Sequence, residues 1–580
     1  MIKKEISCLL ISLLGIIFGY LIWDYIKIPY EDQSIYGLYS INKHHALNDI
    51  LRVSIFIFLP FFFYFVSKIF FYKKNYLKIF FKNIKEVDNI DVQETDYFFN
   101  LLFFLAISFL IIEFFSLDFQ MHQMDVYHEG QRLSSAYRHY LDGSLWSKSY
   151  VTVGIFYETL LANFAWKFFN NVSVGAFRFF DTFLILLFKI ILTYFCFLFS
   201  KLNNFKSNLK YLNFILIFTV TTNLADYELA SVDLLNFRDL VVLITSIIVL
   251  KIVLNKKISY LLIILLGAIS IFSFFWSIDR GLVCNLLIIS SLLFFFLRKE
   301  HSKIFFLIIS ILFFWLLSFI FLKDEFIFFL ENSAIIISEM SYIHGIIFPK
   351  PFGIDADSSR AAKNLVVLSY SFILLINLYI HPNKEFSKNT KFTLLLLSII
   401  SLFSLSYVFG RSDGPHIKHI FGYSVVFFTI FILNILFSFI NLRYKKIIKN
   451  IKKEILIFIV LLIGIINFNF NFNSTVNFPE RLNKYVLLED DMFLNQDYKD
   501  LIKKSKNLIS KHNCIQLYTN DAALLYLLKK KNCTKYYFVW SVGSKKNQIK
   551  MISEMKNTNL IISNGKTDNW GLPLNSKLYL

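Results

Sequence analysis

Residues 304–322 read IFFLIISILFFWLLSFIFL, a run without a single charged side chain. An α-helix of about twenty apolar residues crosses a hydrocarbon core about 30 Å thick, and it closes all its backbone hydrogen bonds internally. Comparable runs recur along most of the 580 residues, of which 56% are hydrophobic and only 17% are charged. The sequence therefore predicts a polytopic α-helical membrane protein.

About thirteen transmembrane helices are predicted by this criterion. The amino-terminal apolar stretch is long and is followed by no Ala-x-Ala-like site, so we interpret it as an uncleaved first span and not as a secretory signal. Residues 324–348 are apolar but interrupted by Glu331, Glu339 and His344, which leaves a re-entrant or interfacial helix as an alternative to a span. The predicted spans are 5–23, 52–72, 98–117, 174–200, 211–224, 239–254, 258–276, 282–297, 304–322, 364–381, 392–409, 420–440 and 454–470.

The distribution of Lys and Arg predicts the orientation of these spans. If the amino terminus is cytoplasmic, every second connection is short and basic, as the positive-inside rule requires. The net charge of +19 then reflects topology and contact with anionic lipid, and it does not indicate nucleic acid. The basic connections carry Lys73, Lys74, Lys78, Lys82 and Lys85; Lys201, Lys206 and Lys210; Lys251, Lys256 and Lys257; Arg298, Lys299 and Lys303; Lys384, Lys388 and Lys391; and Arg443, Lys445, Lys446, Lys449, Lys452 and Lys453.

An odd number of spans places the tail, residues 473–580, outside the cytoplasm. Helices at 497–511, 521–531 and 544–556 alternate with strands at 514–518, 535–540 and 559–563, which predicts a small parallel α/β domain. Its two cysteines, Cys514 and Cys533, flank one strand–helix unit, and both a disulfide and two independent buried thiols fit this spacing. The tail contains no phosphate loop or nucleophile motif, so a lid or packing module is favoured over a catalytic domain. The other cysteines (Cys8, Cys196 and Cys284) are predicted to pack as small apolar side chains.

The first long outer connection, residues 118–173, contains the sequence Asp125-Val-Tyr-His128-Glu129-Gly130. If this stretch were helical, Asp125 and Glu129 would share one face, with His128 beside them. Two such carboxylates raise each other's pKa, so that one can act as a base, or they can hold a divalent metal ion. From the spacing alone, a solvated loop with helix-capping acids is the favoured interpretation.

Further ionisable residues lie in the predicted outer connections close to span ends, where charge is costly in lipid and usually lines a cavity. No zinc-ligand spacing, Walker loop or Ser/His/Asp set accompanies them. These further candidates for substrate binding are Arg132, Asp226, Glu228, Asp279, Arg280, Arg411, Asp413 and His416.

The order of these elements resembles the C-type (GT-C) glycosyltransferase superfamily, which includes protein O-mannosyltransferases and the aminoarabinose transferase acting on lipid A. The resemblance rests on Asp125-Val-Tyr-His-Glu-Gly with the following Gly143-Ser-Leu-Trp, on Asp279-Arg-Gly, and on Gly410-Arg-Ser-Asp-Gly-Pro-His. The tail runs Thr519-Asn-Asp-Ala-Ala-Leu-Leu-Tyr and Cys533-Thr-Lys-Tyr-Tyr-Phe also resemble uncharacterised bacterial members. The turn after Gly143 lacks the Pro-Tyr-x-Asp of that group.

The resemblance implies a core at 98–472 and an outer domain at 473–580, with residues 1–97 as a two-span extension. It implies a bacterial cytoplasmic membrane enzyme that transfers a sugar from a polyprenyl-phosphate carrier to a glycan, lipid or protein acceptor. Asp125 would be the base, and Glu129 would tune it or bind a divalent metal ion, the one cofactor considered. The phosphate would meet Arg132, Arg280 or Arg411, while Asp226 or Glu228 would be a second acidic group. His128, Asp279, Asp413 and His416 would contact substrate.

Two other functions remain open from the sequence. An envelope-polymer polymerase or ligase would concentrate its function in the connection 323–363, with Lys350 and Arg360. A transporter or flippase of lipid-linked glycans would place ionisable groups well inside the spans, whereas this sequence keeps most of them at span ends.

Overall fold

Long apolar helices form the body of the protein. The structure is a computed structural model and describes residues 2–72, 83, 96–202, 207–225, 227, 234–254, 259–380, 387–443, 453–468, 470–558 and 560–563. Ten helices in these ranges are long and apolar enough to cross a membrane. Backbone groups have no water to bond in lipid, which is why such sequences form uninterrupted helices. The chain is a multi-pass membrane protein.

The helices and strands have the following bounds. In chain order they are α1 (Ile2–Ile22), α2 (Leu38–Ile41), α3 (Ala46–Tyr72), α4 (Tyr97–Ser116), α5 (His128–Asp142), α6 (Leu161–Phe169), α7 (Val174–Leu202), α8 (Ser207–Thr222), α9 (Leu240–Leu254), α10 (Tyr260–Trp276), α11 (Ile278–Leu297), α12 (His301–Leu322), α13 (Asp324–His344), α14 (Ala356–Ile380), α15 (Lys388–Phe403), α16 (Gly414–His419), α17 (Gly422–Arg443), α18 (Lys453–Asn467), α19 (Phe472–Val476), α20 (Phe478–Val486), α21 (Gln496–Ser510), α22 (Ala523–Leu527) and α23 (Lys545–Glu554). The strands are β1 (Cys514–Tyr518), β2 (Lys531–Asn532) and β3 (Ile561–Ser563).

Each predicted span coincides with a helix. Nine fall on the long apolar helices, and the other four fall on α8, α9, α10 and α18, which have 15 to 17 residues. At a rise of 1.5 Å per residue such helices measure about 22–26 Å, somewhat less than the hydrocarbon core. The positions of the helices are confirmed, whereas the number of membrane crossings remains a prediction.

Helix α13 is the tenth long apolar helix, and its contacts favour the interfacial alternative. At its start Glu325 accepts backbone hydrogen bonds from Leu145 (3.3 Å) and Ser147 (3.0 Å) of the connection 118–173. At its end the His344 ring lies 4.5 Å from the Trp540 ring of the tail. Both ends of α13 therefore contact units that are predicted to lie outside the cytoplasm.

Basic connections meet at one end of the helices. Lys303 donates to the carbonyl of Ile252 (3.2 Å), Arg298 donates to that of Val253 (3.4 Å), and Ser387 donates to that of Leu202 (2.7 Å). The acidic connections and the tail gather at the other end, described below. This separation agrees with the charge pattern of the sequence. The remaining Lys-rich stretches at 73–82, 84–95, 203–206, 255–258, 381–386 and 444–452 lie outside the described residues.

The tail contains a three-stranded parallel sheet of order β2-β1-β3. A disulfide joins Cys514 to Cys533, so the first of the two alternatives for these cysteines is confirmed. It is consistent with an extracytoplasmic location, because disulfides persist in oxidising compartments. The other three cysteines are buried free thiols.

The predicted strand at 535–540 is wrong, and β2 lies at Lys531–Asn532 instead. Residues after β2 turn away from the sheet because their backbone is bonded elsewhere. The side chains of Gln516 and Asn532 donate to the carbonyl of Tyr536 (2.7 and 2.6 Å), and Tyr150 donates to the carbonyl of Lys535 (3.0 Å). The aromatic side chains of this segment are thereby buried between the tail and the connection 118–173.

Helix α22 of the tail docks directly on helix α5. The backbone N–H of Ala523 donates to the carbonyl of Val126 (3.0 Å), and Ser134 donates to that of Ala522 (2.5 Å). The approach requires a glycine at position 130, since a Cβ there would lie 2.3 Å from the nitrogen of Ala523. The tail is therefore an integral part of the surface that carries Asp125.

Candidate functional site

Two of the predicted site residues, Glu129 and Arg132, are engaged in buried ion pairs between α5 and α7. Both oxygens of Glu129 accept hydrogen bonds of 2.8 Å from Arg178. Arg132 forms a bidentate pair with Asp181 and also donates to the carbonyl of Tyr157 (3.1 Å). These side chains fix α5 against α7. Their geometry does not suit the roles expected from the sequence, a second carboxylate beside Asp125 and a phosphate-binding guanidinium.

Asp125 precedes α5 and caps its start, so the expectation that Asp125 and Glu129 share a helix face does not hold. The carboxylate accepts the backbone N–H groups of Tyr127 (3.0 Å) and His128 (2.9 Å), and its own N–H donates to Glu129 (2.8 Å). This reciprocal arrangement resembles a capping box. The side chain of Asp125 nevertheless stays half exposed and bonds His128 Nδ1 at 2.7 Å.

The electrostatics of Asp125 keep it ionised. Burial raises the pKa of Asp125, but the hydrogen bond and charge of His128 and the two backbone N–H groups together hold the pKa below its ordinary value. A half-exposed, ionised carboxylate paired with an imidazole can accept a proton through either group.

Segments from six parts of the chain meet around this Asp125–His128 pair. We call them the loop cluster, defined as Asp125, Tyr127, His128, Glu158, Arg238, Asp279, Arg280, His344, Arg411, Asp413 and His416. His344 lies within Coulombic range of Arg411, His416 and His128. Arg411 in turn interacts with Tyr127, Arg238, Asp413 and Asp279. Five predicted outer connections therefore come together at one end of the helical body, one of them through His344 at the end of α13.

Arg411 is the least neutralised cation of the loop cluster. Its guanidinium forms no ion pair and no side-chain hydrogen bond with the residues that the structure describes, although Asp413 and Asp279 act on it at longer range. Burial lowers the pKa of Arg411, a direction that reflects desolvation of an unpaired charge. A partly exposed, unpaired guanidinium suits a phosphate, whose geometry it matches in a bidentate contact.

Arg238, Asp239, Asp279 and Arg280 form a four-membered ion network beside Arg411. Asp279 accepts from Arg238 (2.5 Å) and from Arg280 (2.7 Å), and Arg280 also pairs with Asp239 (3.0 Å). Arg280 is buried, and its Cζ atom lies 3.8 Å from the centre of the Tyr407 ring. Because it also has two acidic partners, it is poorly placed to bind a ligand. Arg238 retains a buried Nε without a hydrogen-bond partner among the described residues.

Two histidines complete the loop cluster, and burial beside Arg411 lowers the pKa of His416 to about 4, so this imidazole is neutral near pH 7. His416 Nδ1 lies 2.5 Å from Asp413, which also caps the start of α16 through the backbone N–H of His416. Burial raises the pKa of Asp413, but His416 and its backbone N–H outweigh this effect and lower it. His344 is 5% exposed, and its Nε2 has no hydrogen-bond partner in the described part of the chain. A buried donor or acceptor without a partner is costly, which is why such atoms commonly mark ligand sites.

Glu158 is a buried carboxylate of the loop cluster. Its carboxylate accepts backbone hydrogen bonds from Thr152 (3.0 Å) and Val153 (2.7 Å) and is fully buried. Burial raises the pKa of Glu158 to about 7, against the effect of these hydrogen bonds and of Arg238. This carboxyl group therefore changes its protonation state near neutral pH.

Two predicted residues, Asp226 and Glu228, lie outside the described residues. Within the described ranges no group of three His, Cys, Asp or Glu side chains is placed to hold a metal ion. The carboxylate oxygens of Glu129, considered as metal ligands from the sequence, are both bonded to Arg178.

Several members of the loop cluster were not among the predicted site residues, namely Tyr127, Glu158, Arg238 and His344. Arg178 and Asp181, the partners of Glu129 and Arg132, were also missed. Both could have been identified from the sequence, because they are ionisable residues inside an apolar run, and such residues usually have a specific buried partner. His344 had a weaker signal, the polar interruption of residues 324–348.

Comparisons of the chain with protein-family models, with curated proteins and with solved structures gave no match. The fold and the site therefore define a multi-pass membrane protein in which an ionised Asp–His pair lies in one cluster with Arg411, a cation without an ion pair among the described residues, and the functional argument rests on this geometry.

Proposed function

We propose that the protein is a membrane glycosyltransferase that transfers a sugar from a polyprenyl-phosphate donor to an envelope glycan, lipid or protein acceptor. The single observation that carries this proposal is that Arg411, which has no ion pair among the described residues, lies in the same loop cluster as the ionised Asp125–His128 pair. A cation without an anion suits a phosphate, and a nearby base suits the activation of a hydroxyl group.

In this reaction Asp125, with His128 bonded to it, takes the proton from the acceptor hydroxyl. The hydroxyl oxygen bonds to the anomeric carbon of the sugar, and the bond from that carbon to the phosphate oxygen breaks. The polyprenyl phosphate leaves with one more negative charge, which Arg411 stabilises with help from Arg238. Such preorganised charge is usually the largest catalytic contribution.

The same proposal includes a topology. The amino terminus and the basic connections lie in the cytoplasm, the predicted spans cross a bacterial cytoplasmic membrane, and the loop cluster and tail lie outside. The separation of basic and acidic connections to opposite ends of the helices supports this orientation, as does the disulfide. A polyprenyl-phosphate donor at that face would present its phosphate at the membrane boundary.

The polymerase or ligase alternative has less support from the geometry of its residues. Lys350 is paired with Asp24 at 2.5 Å, and Arg360 is paired with Asp357 at 2.9 Å. Both cations are therefore partly neutralised, in contrast to Arg411. The flippase alternative requires no base and predicts lipid binding without transfer.

The test is transfer of radiolabelled sugar from a panel of polyprenyl-phosphate sugars by the full-length protein in lipid nanodiscs. We expect Asp125→Asn to abolish transfer and to leave binding of polyprenyl phosphate unchanged. Arg411→Gln should weaken that binding about 10- to 100-fold, the range for loss of a charge-assisted hydrogen bond.

Matched controls are Asp497→Asn and Arg360→Gln. Asp497 is an exposed carboxylate of the tail, and Arg360 is an exposed arginine that the polymerase alternative would need. Normal transfer by Asp125→Asn would rule out the assignment of the base. Saturable binding of the lipid without transfer from any donor would favour the flippase, and loss of activity in Arg360→Gln alone would favour the polymerase.

A further inference from the structure

The amino-terminal two-span unit contains a fully buried carboxylate, Asp49, near the start of α3. Asp49 Oδ2 accepts hydrogen bonds from the Tyr39 hydroxyl (2.6 Å) and from the backbone N–H of Phe348 (3.1 Å). Its Oδ1 is bonded to His44 Nε2 at 3.0 Å. Through these hydrogen bonds Asp49 joins the connection between α1 and α3 to the segment that follows α13.

That segment continues directly into the loop cluster. The backbone N–H of Ile346 donates to the carbonyl of Gly410 (2.9 Å), and Ile346 also forms a bridge with Arg411. His344 lies two residues before Ile346, and Phe348 lies two residues after it. The Asp49 side chain thus holds Phe348, and two residues earlier the backbone of Ile346 is bonded to Gly410, the residue before Arg411.

Glycines at three positions bring these backbones into close contact. A Cβ on Gly345 would lie 2.4 Å from the nitrogen of Tyr39, and one on Gly37 would lie 2.1 Å from the carbonyl of Tyr342. Both Gly345 (φ +60°) and Gly410 (φ +80°) adopt left-handed conformations, which glycine tolerates without strain. The contact leaves little freedom for the turn that carries His344.

We infer that Asp49 is a positioning residue for the loop cluster, holding His344 and Arg411 in the arrangement that meets the phosphate. The two amino-terminal spans are on this account a required part of the site and not an accessory extension. The inference about binding rests on the proposed function, whereas the inference about position does not.

The first measurement concerns position alone and uses hydrogen exchange of the full-length protein in nanodiscs. Asp49→Asn keeps the shape of the side chain but replaces an acceptor oxygen by a donor group. We expect the amide of Phe348 to exchange faster and the amide of Ile346, which does not touch Asp49, to exchange at least about tenfold faster. Asp32→Asn, a change of an exposed carboxylate in the same connection that accepts a hydrogen bond from the backbone of Ser34, should alter neither amide. Unchanged exchange at Ile346 would overturn the inference, whatever the protein does with lipid.

The second measurement is binding of polyprenyl phosphate by Asp49→Asn, Arg411→Gln and the double variant, with Tyr39→Phe as a milder change. A positioning role predicts weaker binding in each single variant, about tenfold or more, and little further loss in the double variant, because both act on one contact. Losses that multiply in the double variant would mean that Asp49 and Arg411 affect binding independently, and would refute the positioning role. If the wild-type protein binds no polyprenyl phosphate while Ile346 responds to Asp49→Asn, the proposed function fails and the structural inference stands.

Discussion

The bidentate pair between Glu129 and Arg178 gives the sharpest quantitative expectation. Arg178 is 1% exposed, and Glu129 accepts two hydrogen bonds from it and one from the backbone of Asp125, all at 2.8 Å. Removing one member of a buried ion pair leaves an uncompensated charge, at a cost of about 3 to 5 kcal/mol. In Glu129→Gln the Arg178 guanidinium keeps its hydrogen bonds to the carbonyls of Gln120 (3.2 Å) and His122 (2.9 Å). We therefore expect a cost at the lower end of this range, about 3 kcal/mol.

The assay is the free energy of unfolding in mixed micelles for Glu129→Gln, Arg178→Met and the double variant. Because both single changes disrupt the same contact, we expect the double variant to be destabilised by clearly less than the sum of the two. Asp125→Asn serves as the comparison, and we expect it to change stability little, because asparagine accepts the same backbone hydrogen bonds and caps a helix about as well as aspartate.

Two results would refute this reasoning. If Glu129→Gln has wild-type stability but no transfer activity, Glu129 is catalytic and its pairing with Arg178 is incidental. If the effects of the two single changes add fully, the two side chains do not form the coupled pair that their distances indicate.

Two further changes have definite expected outcomes. Gly130→Ala places a methyl group against the backbone of Ala523, so the tail should dock less tightly by about 1 to 3 kcal/mol, and limited proteolysis should cleave it faster; an unchanged cleavage rate would contradict the docking of α22 on α5. Glu158 has a pKa raised from 4.5 to about 7 by burial, so its contribution to stability is complete below pH 4.5 and is lost as pH rises through 7. The loss amounts to about 3 kcal/mol, and it should be absent in Glu158→Gln when unfolding is measured from pH 4 to 8; an identical pH profile in that variant would contradict the burial of an ionisable Glu158.

The sequence predicted the helices well because the local composition of a segment is enough to specify a helix in a membrane. A run such as 304–322 has no partners for its backbone in lipid except its own, so composition alone specifies a helix there. The same holds for the charge pattern, which places the basic and acidic connections at opposite ends without knowledge of packing. Strand β1 matched its predicted bounds, since a short apolar run between polar turns is also a local signal.

The candidate site was predicted only in part, because its geometry depends on which elements pack together. The sequence identified Asp125, His128, Arg411, Asp413 and His416, all of which belong to the loop cluster. Glu129 and Arg132 looked equally suitable in the sequence, but they form ion pairs with residues about fifty positions further along the chain. Spacing within one helix cannot distinguish a carboxylate that faces a cavity from one that faces another helix.

By itself the sequence determined that this is a multi-pass membrane protein with a small α/β tail, because hydrophobicity and charge act locally, whereas it left the disulfide between Cys514 and Cys533 open. Only the tertiary structure decided that Asp49 of the first two spans meets Phe348, that His344 joins Arg411, and that the tail docks beside Asp125. These contacts join residues far apart in the chain, and each depends on the burial and pairing that packing alone creates. The site is therefore a property of the assembled connections, while the helices beneath it are a property of the sequence.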